Sequence, residues 1–242
     1  MNEVAMEQSR FNWLENQLGE FNFLLKNKGY VDAMDIALDQ VKRQFGNRTN
    51  TLIPMIDDVF AAYKNCNIKR LKVVIVANRP YPTFTDNDKP VASGYAYGIR
   101  QRVSPIPLPL QSIISAVDLF YSKDSDYTLK RITSAPSNLW GTSLAKSGVL
   151  LMNYQLITDY YNPLWSSDLR IFSRVSNITA DLIQQKFPTA LWCMPKNIEL
   201  WDYISETRKL EFNPNNDNFV LSNVFDEINK YLIRNGESPI QW

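Results

Sequence analysis

Histidine is absent from all 242 residues of this chain. That removes the side chain most often used for acid–base catalysis near neutral pH, and the commonest metal ligand with it. Cysteine is nearly absent: Cys66 and Cys193 stand far apart and form no metal-binding spacing. Two reduced, partly buried thiols are the expectation, favoured over a disulfide. Glycine is scarce, 8 against 13 prolines, so many loops should be stiff. No apolar run approaches the ~20 residues of a membrane span. Met1 to Arg10 is polar and carries no signal-peptide pattern. No metal, cofactor or membrane contact is expected, and an intracellular setting is the default. A charge excess is also missing. The formal net charge is +1, whereas a dedicated nucleic-acid binder is often strongly basic, so any DNA footprint must be local.

What is present describes a globular α/β chain. The length suits one substantial core and is marginal for two domains. Phe11, Leu14, Leu18, Phe21 and Leu25 recur at helical spacing, and Gly29 is expected to end that segment. Ala33, Ile36, Ala37, Val41 and Phe45 form a second stripe, stopped at Gly46-Asn47. A helix over Pro54 to Tyr63 follows, with Asp57 and Asp58 in its first turn favouring the helix dipole. Leu71 to Ala77, Gly148 to Asn153 and Thr189 to Met194 are apolar runs that suit strands buried on both faces of a parallel sheet. Between the last two, Leu169, Phe172, Val175, Leu182 and Ile183 mark a helix; Leu221, Phe225, Ile228 and Leu232 mark a final one. Pro105, Pro107 and Pro109 form a rigid loop before another helical stripe at Leu110, Ile113, Ile114 and Val117. Trp140, Trp165, Trp192, Trp201 and Trp242 read as structural. Strands alternating with helices indicate a central parallel sheet, with ligands bound beyond the carboxyl ends of its strands. Asn78 to Pro82, Asn153 and the residues after Met194 converge there.

Taken in order, several segments resemble the family-1 uracil-DNA glycosylases. Lys72 to Pro82 (KVVIVANRPYP) is similar to the strand that runs into that family's GQDPYH water-activating loop. Ser93 to Gly98 (SGYAYG) resembles the GLAFS segment, and Pro105 to Ile113 the proline-rich loop that compresses DNA. Leu144 to Asn153 (LAKSGVLLMN) is similar to WAKQGVLLLN, Leu191-Trp192 to the LLW strand, and Phe225 to Trp242 to the last helix and its PIDW ending. The resemblance covers about residues 50 to 242. It implies a three-layer α/β/α fold with a central four-stranded parallel sheet over residues 51–242. Residues 1–50 would be an extra N-terminal helical extension packed on that core.

The resemblance also assigns roles. Arg79 stands where the family has the Asp that activates water, and an arginine cannot act as a base; it could fill the pocket, pair with a carboxylate or contact phosphate, with a salt-bridged structural role favoured. Asn213, in Phe212-Asn213-Pro214, matches the His that stabilises the departing uracil; an amide cannot carry the same electrostatic load. Asn153 matches the residue that reads the uracil edge, with closure of the strand end as the alternative. Tyr97 matches the ring on which uracil stacks, and Tyr81 the ring that blocks the thymine methyl; packing roles are the alternatives. Arg100, Arg102, Pro107, Lys146 and Pro214 are candidates for DNA-backbone contact. The stretch from Glu211 to Asn229 has no Lys or Arg and carries Glu211, Asp217, Asp226 and Glu227, which would repel phosphates. The leading expectation is a catalytically inactive homologue that binds, in a DNA transaction, through DNA or a protein partner such as polymerase or transcription machinery. The alternatives are an active glycosylase with altered residues, in which Asn78 reaches the water, and a protein-only interaction module.

Overall fold

The computed structural model describes residues 3–46, 51–101, 103–122, 139–160 and 170–242. Arg102, Trp165 and Leu169 lie outside these.

Two helices open the chain, α1 (Glu3–Leu18) and α2 (Lys28–Phe45), joined by a 3₁₀ segment, Gly19–Lys26. The first break falls at Gly19, which takes a left-handed φ of +55°, and not at Gly29. Asn27 caps α2 by accepting a hydrogen bond from the Tyr30 amide, so Gly29 lies inside the first turn. Gly46 ends α2 with another positive φ. The helix expected over Pro54 to Tyr63 is two pieces: a 3₁₀ turn, Ile56–Asp58, and α3 (Ala61–Asn65). The break lets the Asp58 carbonyl press against Gly94, at a point where any Cβ would collide with it.

Five parallel pairs tie β2 (Val73–Ala77) to β3 (Val149–Asn153), ending with Ala77 opposite Asn153. β2 also pairs with β5 (Leu191–Met194), which pairs with β6 (Lys209–Glu211), giving a four-stranded parallel sheet of order β3-β2-β5-β6. A two-stranded antiparallel ribbon, β1 (Leu52–Ile53) with β4 (Thr158–Asp159), stands apart. Helices α4 (Leu108–Tyr121), α5 (Leu139–Lys146), α6 (Ser173–Lys186) and α7 (Val224–Arg234) complete the α/β fold. The expected stripe at Leu221 precedes the last helix. Asn223 is left-handed, so helix cannot begin before Val224, and Leu221 is exposed.

One apolar cluster runs from Leu14, Phe21 and Met34 through Ile75 and Trp192 to Trp242. The N-terminal helices are therefore a layer of the same core as the sheet. Cys66 and Cys193 are buried and unbonded, as expected. Burial pushes the Cys66 thiol up to about 12. Among the described residues, no helix is long and apolar enough to cross a membrane.

Candidate base-binding site

Parallel strands deliver their following loops to one end of the sheet, and here three loops are stitched together. After β2, the Asn78 carbonyl accepts a hydrogen bond from the Gln155 amide beyond β3, at 2.9 Å. The Ala96 amide donates to the Leu151 carbonyl of β3 at 2.9 Å. The Tyr81 hydroxyl donates to the Tyr97 carbonyl at 3.3 Å. Beyond β6, the Phe212 amide donates to Met194 at 3.0 Å, which sets Asn213 beside the same end of the sheet. Asn78, Arg79, Tyr81, Tyr97, Asn153 and Asn213 thus lie on segments at the carboxyl edge of the sheet.

Asn153 is the most informative of them. It is 2% exposed, and its Oδ1 accepts a hydrogen bond from no described residue. An orphaned buried acceptor costs about 1–3 kcal/mol. A buried water or a bound ligand can supply the missing partner of such a group. A nearby residue is strained as well. Tyr97 adopts φ +58°, a conformation unfavourable for a bulky side chain by about 1–3 kcal/mol. Its neighbours hold it there: Trp140 Nε1 donates to the Ala96 carbonyl at 3.1 Å, while Ala96 and Tyr81 make the two bonds above. The Tyr97 ring packs at 5.9 Å from Phe212, and both are buried. Desolvation raises the pKa of both Tyr81 and Tyr97, so each stays a neutral phenol.

The two positions that the resemblance aligns with catalytic residues of the family are Arg79 and Asn213. Arg79 is half-buried on the loop between Asn78 and Tyr81. Asn213 turns its Oδ1 back to accept from the Asn215 amide, at 3.3 Å, which leaves the Nδ2 hydrogens as its free chemistry. Asn213 also lines a cavity of about 250 Å³ with Glu211, Asn216, Asn218, Phe219 and Ser222. From Tyr81 a larger cleft of about 660 Å³ continues along Thr83 to Asn87 and reaches Pro105, Ile106 and Pro107.

The DNA-backbone candidates fare unevenly. Pro107 lines that cleft. Arg100 is tied to Asp58 as an ion pair, which weakens its claim on a phosphate. Lys146 is exposed, but it lies three residues ahead of β3, at the amino end of the sheet and opposite Asn153. Pro214 is buried and props its loop from within. Arg102 is outside the described residues. The acidic stretch is less repulsive than its composition implies. Glu211 pairs with Lys196 at 2.7 Å, and Asp226 and Glu227 both pair with Lys230. The latter two occupy the first turn of α7, where the helix dipole favours them.

Phe212 escaped the sequence reading as a site residue. An aromatic directly before Asn213-Pro214 was its one signal. Gln155 was also missed. Its Nε2 donates to Ser173 and its Oε1 accepts from the Phe172 amide, anchoring the loop after β3 to the start of α6.

A four-stranded parallel sheet flanked by helices, with an amide and two tyrosines at its carboxyl edge, defines a uracil-DNA glycosylase-like fold. The mimivirus uracil-DNA glycosylase superposes with a TM-score of 0.64 at 17% identity, over 88% of this chain and 86% of that one. The UNG structure from Nitratifractor salsuginis gives 0.61 at 14% identity, over 94% and 98%. Among curated sequences, uracil-DNA glycosylase of Borrelia hermsii is 26% identical across 99% of both chains. That of Amoebophilus asiaticus is 24% identical, over 89% of this chain and 92% of its own. The Dictyostelium discoideum enzyme is 23% identical over 62% of this chain, which spans 37% of that longer protein. No family model matches. The chain thus has the uracil-DNA glycosylase fold and is similar to curated uracil-DNA glycosylases along nearly its whole length. The Borrelia alignment also takes in the N-terminal helices, which the sequence motifs had left outside the resemblance.

Proposed function

We propose that this protein binds DNA by capturing a pyrimidine base and does not cleave the base–sugar bond. Asn153 carries the reading. Its buried Oδ1 lacks a partner among the described residues, and an N–H on the edge of a flipped base would supply one. Tyr97 and Tyr81 would bound the ring of that base, and the cleft running to Pro107 would take the flanking strand.

Hydrolysis is another matter. It calls for a base to prepare water and for stabilisation of a cationic sugar and an anionic leaving group. Arg79 cannot accept a proton and would oppose the positive charge building on the sugar. The Asn213 amide donates a hydrogen bond without the charge that makes such bonds strong. Base-reading positions present without this machinery fit recognition and architecture better than repair.

The test is equilibrium binding of a single-stranded oligonucleotide carrying one central uracil, against the same strand carrying thymine. The uracil strand should bind several-fold more tightly, and Asn153→Ala should abolish that preference. Equal affinities for the two strands in the wild type would refute the base-capture reading.

A further inference from the structure

Tyr97 sits at a left-handed φ, and two separate chains of contact lead from it to Trp242. The first runs through the backbone. Trp140, on α5, donates its indole N–H to the Ala96 carbonyl at 3.1 Å. That carbonyl belongs to the peptide whose rotation about the Tyr97 N–Cα bond is φ, so fixing it fixes the angle. The next residue, Gly141, lies so close to the Tyr95 ring that a Cβ would collide with it, which seats α5 against the same segment. The Trp242 ring stacks on Trp140 with centroids 6.4 Å apart. The second chain runs through side chains. Tyr97 packs on Phe212 at 5.9 Å, Phe212 on Phe225 at 5.9 Å, and Phe225 on Trp242 at 4.8 Å. All four rings are buried, and close-packed interiors transmit the displacement of one group to the next. Trp242 is itself anchored. Its amide donates to the Tyr121 hydroxyl at 2.8 Å. Two residues earlier, Asn229 of α7 accepts from the Ile240 amide at 2.8 Å and donates to the Ile240 carbonyl at 3.0 Å.

We infer that Trp242 is a positioning residue for Tyr97. Its indole backs Trp140, which holds the peptide ahead of Tyr97, and Phe225, which backs the ring that Tyr97 packs on. A bulky residue keeps a positive φ only where its surroundings over-determine it. Removing the indole leaves a cavity beside both props, and Tyr97 then relaxes out of the left-handed region. The consequence for uracil preference rests on the base-capture reading; the hold on Tyr97 does not.

Nuclear magnetic resonance of the folded, ligand-free protein tests this, because the Cα and Cβ shifts of Tyr97 report its φ. Trp242→Ala should move them out of the left-handed range, and Trp242→Phe should keep them close to wild type. Met34→Ala, which opens a cavity in α2 instead, should leave them unmoved. Tyr121→Phe removes only the hydroxyl that accepts from the Trp242 amide and should move them partway. In the oligonucleotide comparison above, Trp242→Ala should lower the preference for uracil over thymine by about threefold to tenfold, and Trp242→Phe should restore most of it. Unmoved Tyr97 shifts in Trp242→Ala, or equal movement in Met34→Ala, would overturn the assignment. If Trp242→Ala does not fold, unmoved shifts in Tyr121→Phe would overturn it. A wild type with no preference for uracil would sink base capture alone, and the ligand-free spectra would still decide the role of Trp242.

Discussion

A single amide separates a binding reading of this molecule from a purely structural one. If Asn153 were there to finish β3, its side chain would be hydrogen-bonded within the protein, and removing it would destabilise the fold. It is instead buried with an unsatisfied carbonyl, next to a tyrosine held at positive φ. Replacing an unsatisfied polar group by an apolar one of similar shape is neutral or stabilising. Asn153→Leu should therefore leave unfolding stability unchanged or raise it by up to about 1 kcal/mol, while removing any preference for uracil. A loss of 2 kcal/mol or more, on the order of a buried network broken, measured by urea denaturation, would mark Asn153 as structural. The amide's position was visible in the sequence only through its match to a motif. Its orphaned state was not, because satisfaction of a buried acceptor depends on neighbours distant along the chain.

Elements differ in how clearly their residues announce them. β2, β3 and β5 are buried on both faces, so each is written as an unbroken apolar run. β6 is three half-exposed or exposed residues at the sheet edge, Lys-Leu-Glu, and no periodicity marks it; only the family resemblance implied a fourth strand. Lys146 shows a different failure. A motif ending in Asn153 drew Lys146 toward the site, yet a parallel strand carries its first and last residues to opposite ends of the molecule. The N-terminal helices teach a third lesson. Their apolar stripes showed that they pack on something, and the structure shows that the something is the sheet's own core. Met34 is fully buried in α2 within that shared cluster. Met34→Ala should cost about 2–5 kcal/mol, and the loss should appear as a shift of one cooperative transition. Two separate transitions, followed by tryptophan fluorescence and circular dichroism, would show instead that the N-terminal layer unfolds independently.

At the scale of the whole molecule, titration behaviour follows from what the chain lacks and what it buries. Without histidine, no imidazole changes charge between pH 5 and 8. Stability should be nearly flat across pH 6 to 8. Alkaline pH is different. Burial raises the thiols of Cys66 and Cys193 and the phenols of Tyr30, Tyr63 and Tyr97. A raised native pKa means that the unfolded chain releases its proton first. Stability is then complete below the unfolded value and declines as pH rises toward the native one. For Cys66 that window runs from the ordinary 9.0 to about 12. Urea midpoints measured from pH 6 to 11 should hold level and then fall above pH ~9. A midpoint still level at pH 11 would mean that these groups are not shielded as the structure shows.

On the proposed reading, a glycosylase-like scaffold keeps base recognition and lacks hydrolysis. The most direct measurement is uracil release from single-stranded uracil-containing DNA, with protein in excess over DNA, so that even one slow turnover is detected. A bound strand and no free uracil above the protein-free control are expected. Free uracil accumulating in proportion to protein, and lost in Asn153→Ala, would contradict it and make this chain an enzyme that works without the usual carboxylate and imidazole.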